Sequence, residues 1–295
     1  QSEIEIQLPA WRPGRYELQN FAKNIQFIEA ISNTGDKLKI QKKTKDRWHI
    51  ETNGHQEIQI RYAYYAFVQN AGTSYVDENY WYLNFINFCF YTEGRIHEPC
   101  TLTLDLPQDY KIACGLETIA TNTLKAADFY ELVDCPLLAS TSLQHVQYSV
   151  EDIQFHVWIQ GNISPDWKRI LEHFTAFSKE QVAMMGEFPE KDYHFLNLIL
   201  PTPYYHGVEH RNSTMVVLGP DEVTEELYSD LLGVSSHELF HAWNIIRIRP
   251  TELLPYDFTK ENYFQTCFVA EGCTTYYGDL FLRRAGVFDD SMYLK

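Results

Sequence analysis

The 295-residue chain has room for one large or two ordinary domains, and with 45% hydrophobic and 15% aromatic residues it can bury a sizeable core. Forty acidic residues against 24 basic ones give a net charge of −16, a surface that repels nucleic acid and anionic lipid and argues against both as partners. No apolar run reaches membrane-spanning length, so membrane insertion is not expected.

The first half reads as β-structure. Trp48, Ile50 and Thr52 alternate with His49 and Glu51, and Asn53-Gly54 follows as a hairpin signal. Ile58, Ile60, Tyr62 and Tyr64 alternate in turn; Leu102, Leu104 and Leu106 repeat the pattern until Pro107; Ile153, Phe155, Val157 and Ile159 make a further strand. Strands divided by turn signals, with no helical stretch between them, predict an antiparallel β-sandwich-like N-terminal domain over 1–155. After Gly161 the pattern changes. Ser164 and Pro165 suit a helix start, and Trp167, Ile170, Leu171, Phe174 and Phe177 keep helical spacing until Gly186. Strands over 194–200 and 213–219 follow, and the signal from Asp221 onward is mainly helical. The expectation is a second, α+β domain over 156–295, with the boundary within 150–162.

Six cysteines are scattered without a C-x-x-C pair. Cys267 and Cys273, six positions apart, lie roughly 9 Å apart along a helix, too far to bridge, so all six are read as thiols. The chain begins at Gln1 without a basic-then-apolar leader and stops at Lys295 inside a helical pattern, which reads as a fragment of a longer protein. A soluble protein, cytoplasmic rather than periplasmic, is expected, and nothing points to an oligomeric state.

The chemistry sits in "SSHELFHAWNIIRIRP" (235–250), which contains His-Glu-x-x-His as His237, Glu238 and His241. Residues four apart share one helix face, so two imidazoles there can turn nitrogens toward one ion at about 2.0–2.1 Å. Glu238, beside the first histidine, is placed to act as general base on a metal-activated water. A catalytic zinc needs a third protein ligand and one open position. Glu271, in "CFVAEGCTTYYGDLFLRRAG" (267–286), lies far enough downstream for the chain to leave one helix and enter another, while Asp257 and Glu261 are rival ligands.

These residues resemble the glycyl aminopeptidase family of zinc metallopeptidases, of thermolysin-like (gluzincin) type. "AEGCTTYYGDLFLRRAG" is similar to its Glu-Gly segment, "HGVEHRNST" (206–214) to its Gly-Gly-Leu-Glu-His strand, "LPAWRPGRYELQNFAKNI" (8–25) to its N-terminal signature, and "ADFYELVDCPLL" (127–138) to a segment before the catalytic domain. The resemblance implies zinc held by His237, His241 and Glu271, with Glu238 as base, in a thermolysin-like domain truncated at its C-terminus. Family members often carry a C-terminal PDZ domain, absent here. The resemblance further implies that Glu209 grips the substrate's free α-amine, that Gly207 and Val208 hydrogen-bond the peptide as an added strand, and that His210 lines the cleft. Asn244 and Asp279 are candidates to orient a ligating histidine. Tyr276 and Tyr277 are candidate oxyanion donors, unless that tyrosine lies beyond residue 295. Departures at His206, Val208 and Phe268-Val269 bear on the substrate pocket. The expected function is zinc-dependent removal of a small N-terminal residue, glycine or alanine, from peptides with a free N-terminus. The alternatives are a zinc endopeptidase or a non-catalytic peptide-binding protein.

Overall fold

A computed structural model describes residues 2–294. The N-terminal part is mostly β-sheet and an α+β part follows. Four small antiparallel sheets make up the first. Strand Glu3–Gln7 pairs with Arg47–Glu51, and Ile25–Ser32 with Ile58–Tyr64. Tyr80–Leu83 pairs with Leu137–Ser140, and Cys100–Thr103 with Thr123–Ala126. Alternating side chains such as Trp48 and Ile50 fill the core they enclose.

The Asn53-Gly54 hairpin is not formed. Both residues do take the left-handed conformation of a tight turn (φ 52° and 86°), and His55 N–H bonds back to Thr52 O at 2.9 Å. The strands on either side, however, enter two different sheets. The turn forms locally, while Arg47–Glu51 pairs with Glu3–Gln7 and Ile40–Lys42, and Ile58–Tyr64 pairs with Ile25–Ser32.

The second part is built on a five-stranded mixed sheet. Its strands lie in the order Gln144–Val150, Ile153–Gln160, Asp192–Ile199, Ser213–Gly219 and Tyr204–Glu209. Ile153–Gln160 runs parallel to Asp192–Ile199, which runs parallel to Ser213–Gly219. Tyr204–Glu209 is an edge strand, paired with Ser213–Gly219 alone. Ile153–Gln160 spans the 155/156 division expected from the sequence, so a cut there would split the sheet.

Both faces of this sheet are covered. Phe155, Val157, Phe195, Val216 and Leu218 pack against helices Trp167–Met185, Glu225–Phe240 and Thr274–Arg284. Leu196, Leu198, Met215 and Val217 face the other way, onto Tyr82, Leu138 and Ala113 of the N-terminal sheets. The helix Trp167–Met185 is capped by Asp166, whose carboxylate accepts from Arg169 N–H at 3.1 Å; Ser164-Pro165 lies just ahead of it. Gly186 ends it at φ 81°, as expected.

The stretch after His241 is less helical than the sequence pattern suggests. Helix Glu225–Phe240 stops well before Pro250, and the chain then leaves as an irregular arm. Ile245, Leu253, Tyr256 and Phe258 of this arm are buried in the N-terminal core. Tyr256 packs on Trp11, Phe258 on Tyr91 and Phe129, and Ala10 N–H donates to Phe258 O at 2.8 Å. The arm then returns to a π-helical turn, Phe268–Cys273, that runs into Thr274–Arg284. All six cysteines are free thiols. Among the described residues no helix is long and apolar enough to cross a membrane.

Candidate metal centre and cleft

Helix Glu225–Phe240 starts where Thr224 Oγ1 accepts from Leu227 N–H at 3.1 Å, with Glu225 and Glu226 suiting the positive end of the helix dipole. Its last turn is unusually crowded by neighbours. Ser236 Oγ donates to Gly278 O at 2.7 Å, and Gln181 Nε2 donates to Ser236 O at 2.9 Å. A Cβ on Gly278 would lie 3.0 Å from His237 Cα, so a glycine is what lets the two helices approach here. Small residues before and opposite the histidines therefore set how closely the helix that follows Glu271 can come.

His237 and His241 turn their Nε2 atoms to within 3.0 Å of each other. Glu271 Oε2 lies 3.6 Å from the first and 3.7 Å from the second. A triangle with these sides has a circumscribed radius of about 2.0 Å, so one ion can touch all three atoms at ordinary zinc–nitrogen and zinc–oxygen distances. The donor set fits a divalent metal. The π-helical turn under Glu271 is a conformation concentrated at functional sites.

The ligand orientations are held from behind. His241 Nδ1 donates to Asn244 O at 2.9 Å, which leaves the Nε2 lone pair facing the centre. Asn244 Nδ2 in turn donates to Val269 O, Ala270 O and Thr274 Oγ1, tying the end of the histidine helix to the turn that carries Glu271. Asn244 thus orients His241, through its backbone oxygen rather than its side chain. Asp279 lines the same cleft and is half-buried, and burial raises its carboxyl above the usual range.

A cleft of about 450 Å³ opens over the centre, lined by Gly14, His206, Gly207, Glu209, Glu238 and Asp279 among others. Glu238 is buried, and its Oε2 has no hydrogen-bond partner among the described residues. Burial first, then the charges of Glu209 and Glu271, push its carboxyl upward, with His241 opposing. Glu271 is pulled down by the neighbouring His237 and His241 imidazoles. Burial pushes the His241 imidazole down, but Glu271, Glu209 and Glu238 together outweigh it and raise it. Donor atoms of Glu209, Glu238 and His241 all lie within 4.8 Å of one another.

The edge strand Tyr204–Glu209 passes directly over Glu238. A Cβ on Gly207 would sit 2.1 Å from Glu238 Oε1, so any larger residue would force the carboxylate out of this position. Glu209, at 5% exposure, lines the same cleft. Val208 turns its side chain into the interface with the N-terminal sheets, leaving its backbone on the strand. His210 is turned away from the cleft, with Nδ1 2.9 Å from Asp134 Oδ1. Tyr276 is 56% exposed and Tyr277 packs on Phe240 and Phe281; neither lines the cleft. The rivals Asp257 and Glu261 lie on the arm and bond to Thr259 and Tyr263 instead.

Sequence reasoning missed Tyr205, Val234 and Thr275 along the cleft, and it missed the contribution of the N-terminal part. Gly14 lines the cleft, and Tyr16 O–H donates to Glu209 Oε1 at 3.0 Å. Arg12, fully buried, lies close enough to Glu209 for their charges to interact. The sequence signal for them was the segment "LPAWRPGRYELQNFAKNI" (8–25), similar to the family's N-terminal signature, which assigns none of them a role.

The sheet, the helices on one face and the two-histidine, one-carboxylate centre are those of a metallopeptidase scaffold. The family model for the Peptidase M61 N-terminal domain matches residues 1–141, and that for M61 glycyl aminopeptidase matches 230–295. The chain belongs to the M61 glycyl aminopeptidase family of metallopeptidases. An aminopeptidase N family protein from Idiomarina loihiensis superposes with a TM-score of 0.93 at 28% identity, over 100% of this chain and 52% of its own. An M1 zinc metallopeptidase from Deinococcus radiodurans superposes at 0.53 with 13% identity, over 97% of this chain and 64% of its own. A variant of that enzyme bound to a Tyr-Ser-Ala substrate gives 0.51, with the same identity and coverage. The chain thus spans about half the length of the Idiomarina protein. No curated protein matches it.

Proposed function

We propose that this chain is the zinc-binding and peptide-binding part of an aminopeptidase that removes a small N-terminal residue, glycine or alanine, from peptides. The observation that carries the reading is that the donor atoms of His237, His241 and Glu271 share one point at metal distance, while Glu209 lines the cleft beside them. His237, His241 and Glu271 would hold zinc, as in a thermolysin-like gluzincin domain. Zinc bound there supplies Lewis acidity toward the scissile carbonyl and toward a water molecule.

The protein's own groups do the rest. Glu238, buried and raised by burial, takes a proton from water and returns it to the departing amine. Glu209 accepts the substrate's ammonium, which an internal peptide bond cannot offer. The free edge of Tyr204–Glu209 pairs with the peptide backbone at Gly207 and Val208. Gly14 and His206 bound the cleft near Glu209, which supports a short N-terminal side chain. We also propose a two-domain division. A cut near residue 142 keeps the five-stranded sheet whole, whereas the 155/156 cut does not.

Elemental analysis and paired assays test the reading. One zinc per chain is expected, and Glu238→Gln should keep the zinc while slowing alanyl-anilide hydrolysis by about 100- to 10,000-fold, the usual worth of a general base. Equal cleavage of free and N-acetylated peptides would rule out the aminopeptidase.

A further inference from the structure

Tyr16 holds φ 54°, a left-handed backbone conformation that a bulky aromatic residue seldom adopts. Such strain persists only where the surroundings enforce it, and it concentrates at functional positions. Here the ring is gripped edge-on by Trp11 at 6.2 Å and by Phe264 of the arm at 5.3 Å. Gly14, at φ 77°, brings the loop down onto the edge strand; a Cβ there would come 2.8 Å from Glu209 Oε2 and 3.1 Å from Val208 Cγ1. The result is a phenol from the N-terminal part whose O–H reaches Glu209 Oε1 at 3.0 Å, across 193 residues of sequence.

Glu209 needs such a hold. Its carboxylate lies with the Glu238 carboxylate and the His241 imidazole in a second cluster that shares His241 with the first and could itself take a cation. A carboxylate free to rotate there would be drawn toward the metal, closing the coordination position that catalysis needs open. It would also lose the orientation that receives an ammonium.

We propose that Tyr16 is a positioning residue for the free-amine subsite: its hydroxyl fixes the Glu209 carboxylate facing the substrate ammonium and away from the metal. The N-terminal part thereby contributes to recognition of the substrate's terminus. This inference rests on the aminopeptidase reading, in which Glu209 binds the amine.

The test uses two hydroxamates that both anchor on zinc and differ only in the amine. Binding of glycine hydroxamate and of acetohydroxamate is measured by titration calorimetry on zinc-loaded parent, Tyr16→Phe, Glu209→Gln and the double variant, with zinc content and melting temperature recorded for each. Tyr16→Phe should weaken glycine hydroxamate about ten-fold, the worth of one hydrogen bond to a charged group, and leave acetohydroxamate within two-fold. The double variant should bind glycine hydroxamate no more weakly than Glu209→Gln alone, because Tyr16 acts through Glu209. If Tyr16→Phe weakens both ligands equally, or weakens neither while Glu209→Gln loses the amine preference, the positioning role is wrong and the aminopeptidase reading stands. If Glu209→Gln itself leaves the preference intact, the amine-binding reading falls and takes Tyr16's role with it.

Discussion

Replacing Gly207 by alanine probes the seating of the catalytic carboxylate more sharply than removing the carboxylate does. The added methyl carbon would start 2.1 Å from Glu238 Oε1, 2.7 Å from its Cδ and 2.8 Å from Val234 Cγ2. Ordinary contact begins near 3.4 Å, so strand and carboxylate must separate by over 1 Å. The carboxylate end of the flexible Glu238 side chain yields before the strand does, and so leaves its seat. The strand is pinned along its length to Ser213–Gly219, and Glu238 is rooted in a buried helix. A displacement of about 1 Å at a reacting group costs on the order of 100-fold in rate. Overpacking of this kind destabilises by roughly 1–3 kcal/mol. The expected outcome is a kcat for alanyl-anilide hydrolysis lowered about 100-fold, with zinc content unchanged, because no metal ligand is touched. The assay is steady-state kinetics beside elemental analysis and thermal melting. A Gly207→Ala protein with full zinc and more than a third of parental kcat would refute the reasoning, since the carboxylate would then not lie under the strand.

Gly278→Val should push the two ligand-bearing helices apart, because even a Cβ there lies 3.0 Å from His237 Cα; a melting temperature lowered by several degrees and weaker zinc retention on dialysis are expected. Chelation should lower the melting temperature of the parent, and zinc at 1,000 times its dissociation constant should restore about 4 kcal/mol, a recovery that His237→Ala abolishes. Acid should destabilise the fold through His194. Burial, with the neighbouring His156 and His145, lowers its imidazole to about 3, so the unfolded chain takes up the proton first. That contribution is whole above about pH 6.5 and is lost as pH falls toward the folded value, at ~1.4 kcal/mol per pH unit; melting temperatures from pH 7 to 4.5 should fall less steeply in His194→Gln.

The candidate metal centre was legible because its signal is local. His237 and His241 obey helix geometry within one turn, and Glu271 follows in a recognisable Glu-Gly segment. The strands over 153–160, 192–199 and 213–219 were legible for a similar reason, since apolar runs bounded by turn residues leave few choices. What failed was whatever depended on distant packing. Asn53-Gly54 makes its turn, but the flanking strands belong to separate sheets. The arm after His241 carries enough apolar residues to pass for helix, yet spends them on the N-terminal core. Tyr16 was invisible as a site residue because nothing in its neighbourhood of sequence names Glu209 as its partner.

The arm has a consequence for how the molecule can be taken apart. Its aromatic residues are rooted among Trp11, Tyr91 and Phe129 before the chain turns back to present Glu271. A protein cut down to its C-terminal half would keep both histidines on their helix but leave the third claw of the grip hanging from an unanchored tether. Grafts and truncations should therefore treat the β-rich half as the jig on which the other is assembled.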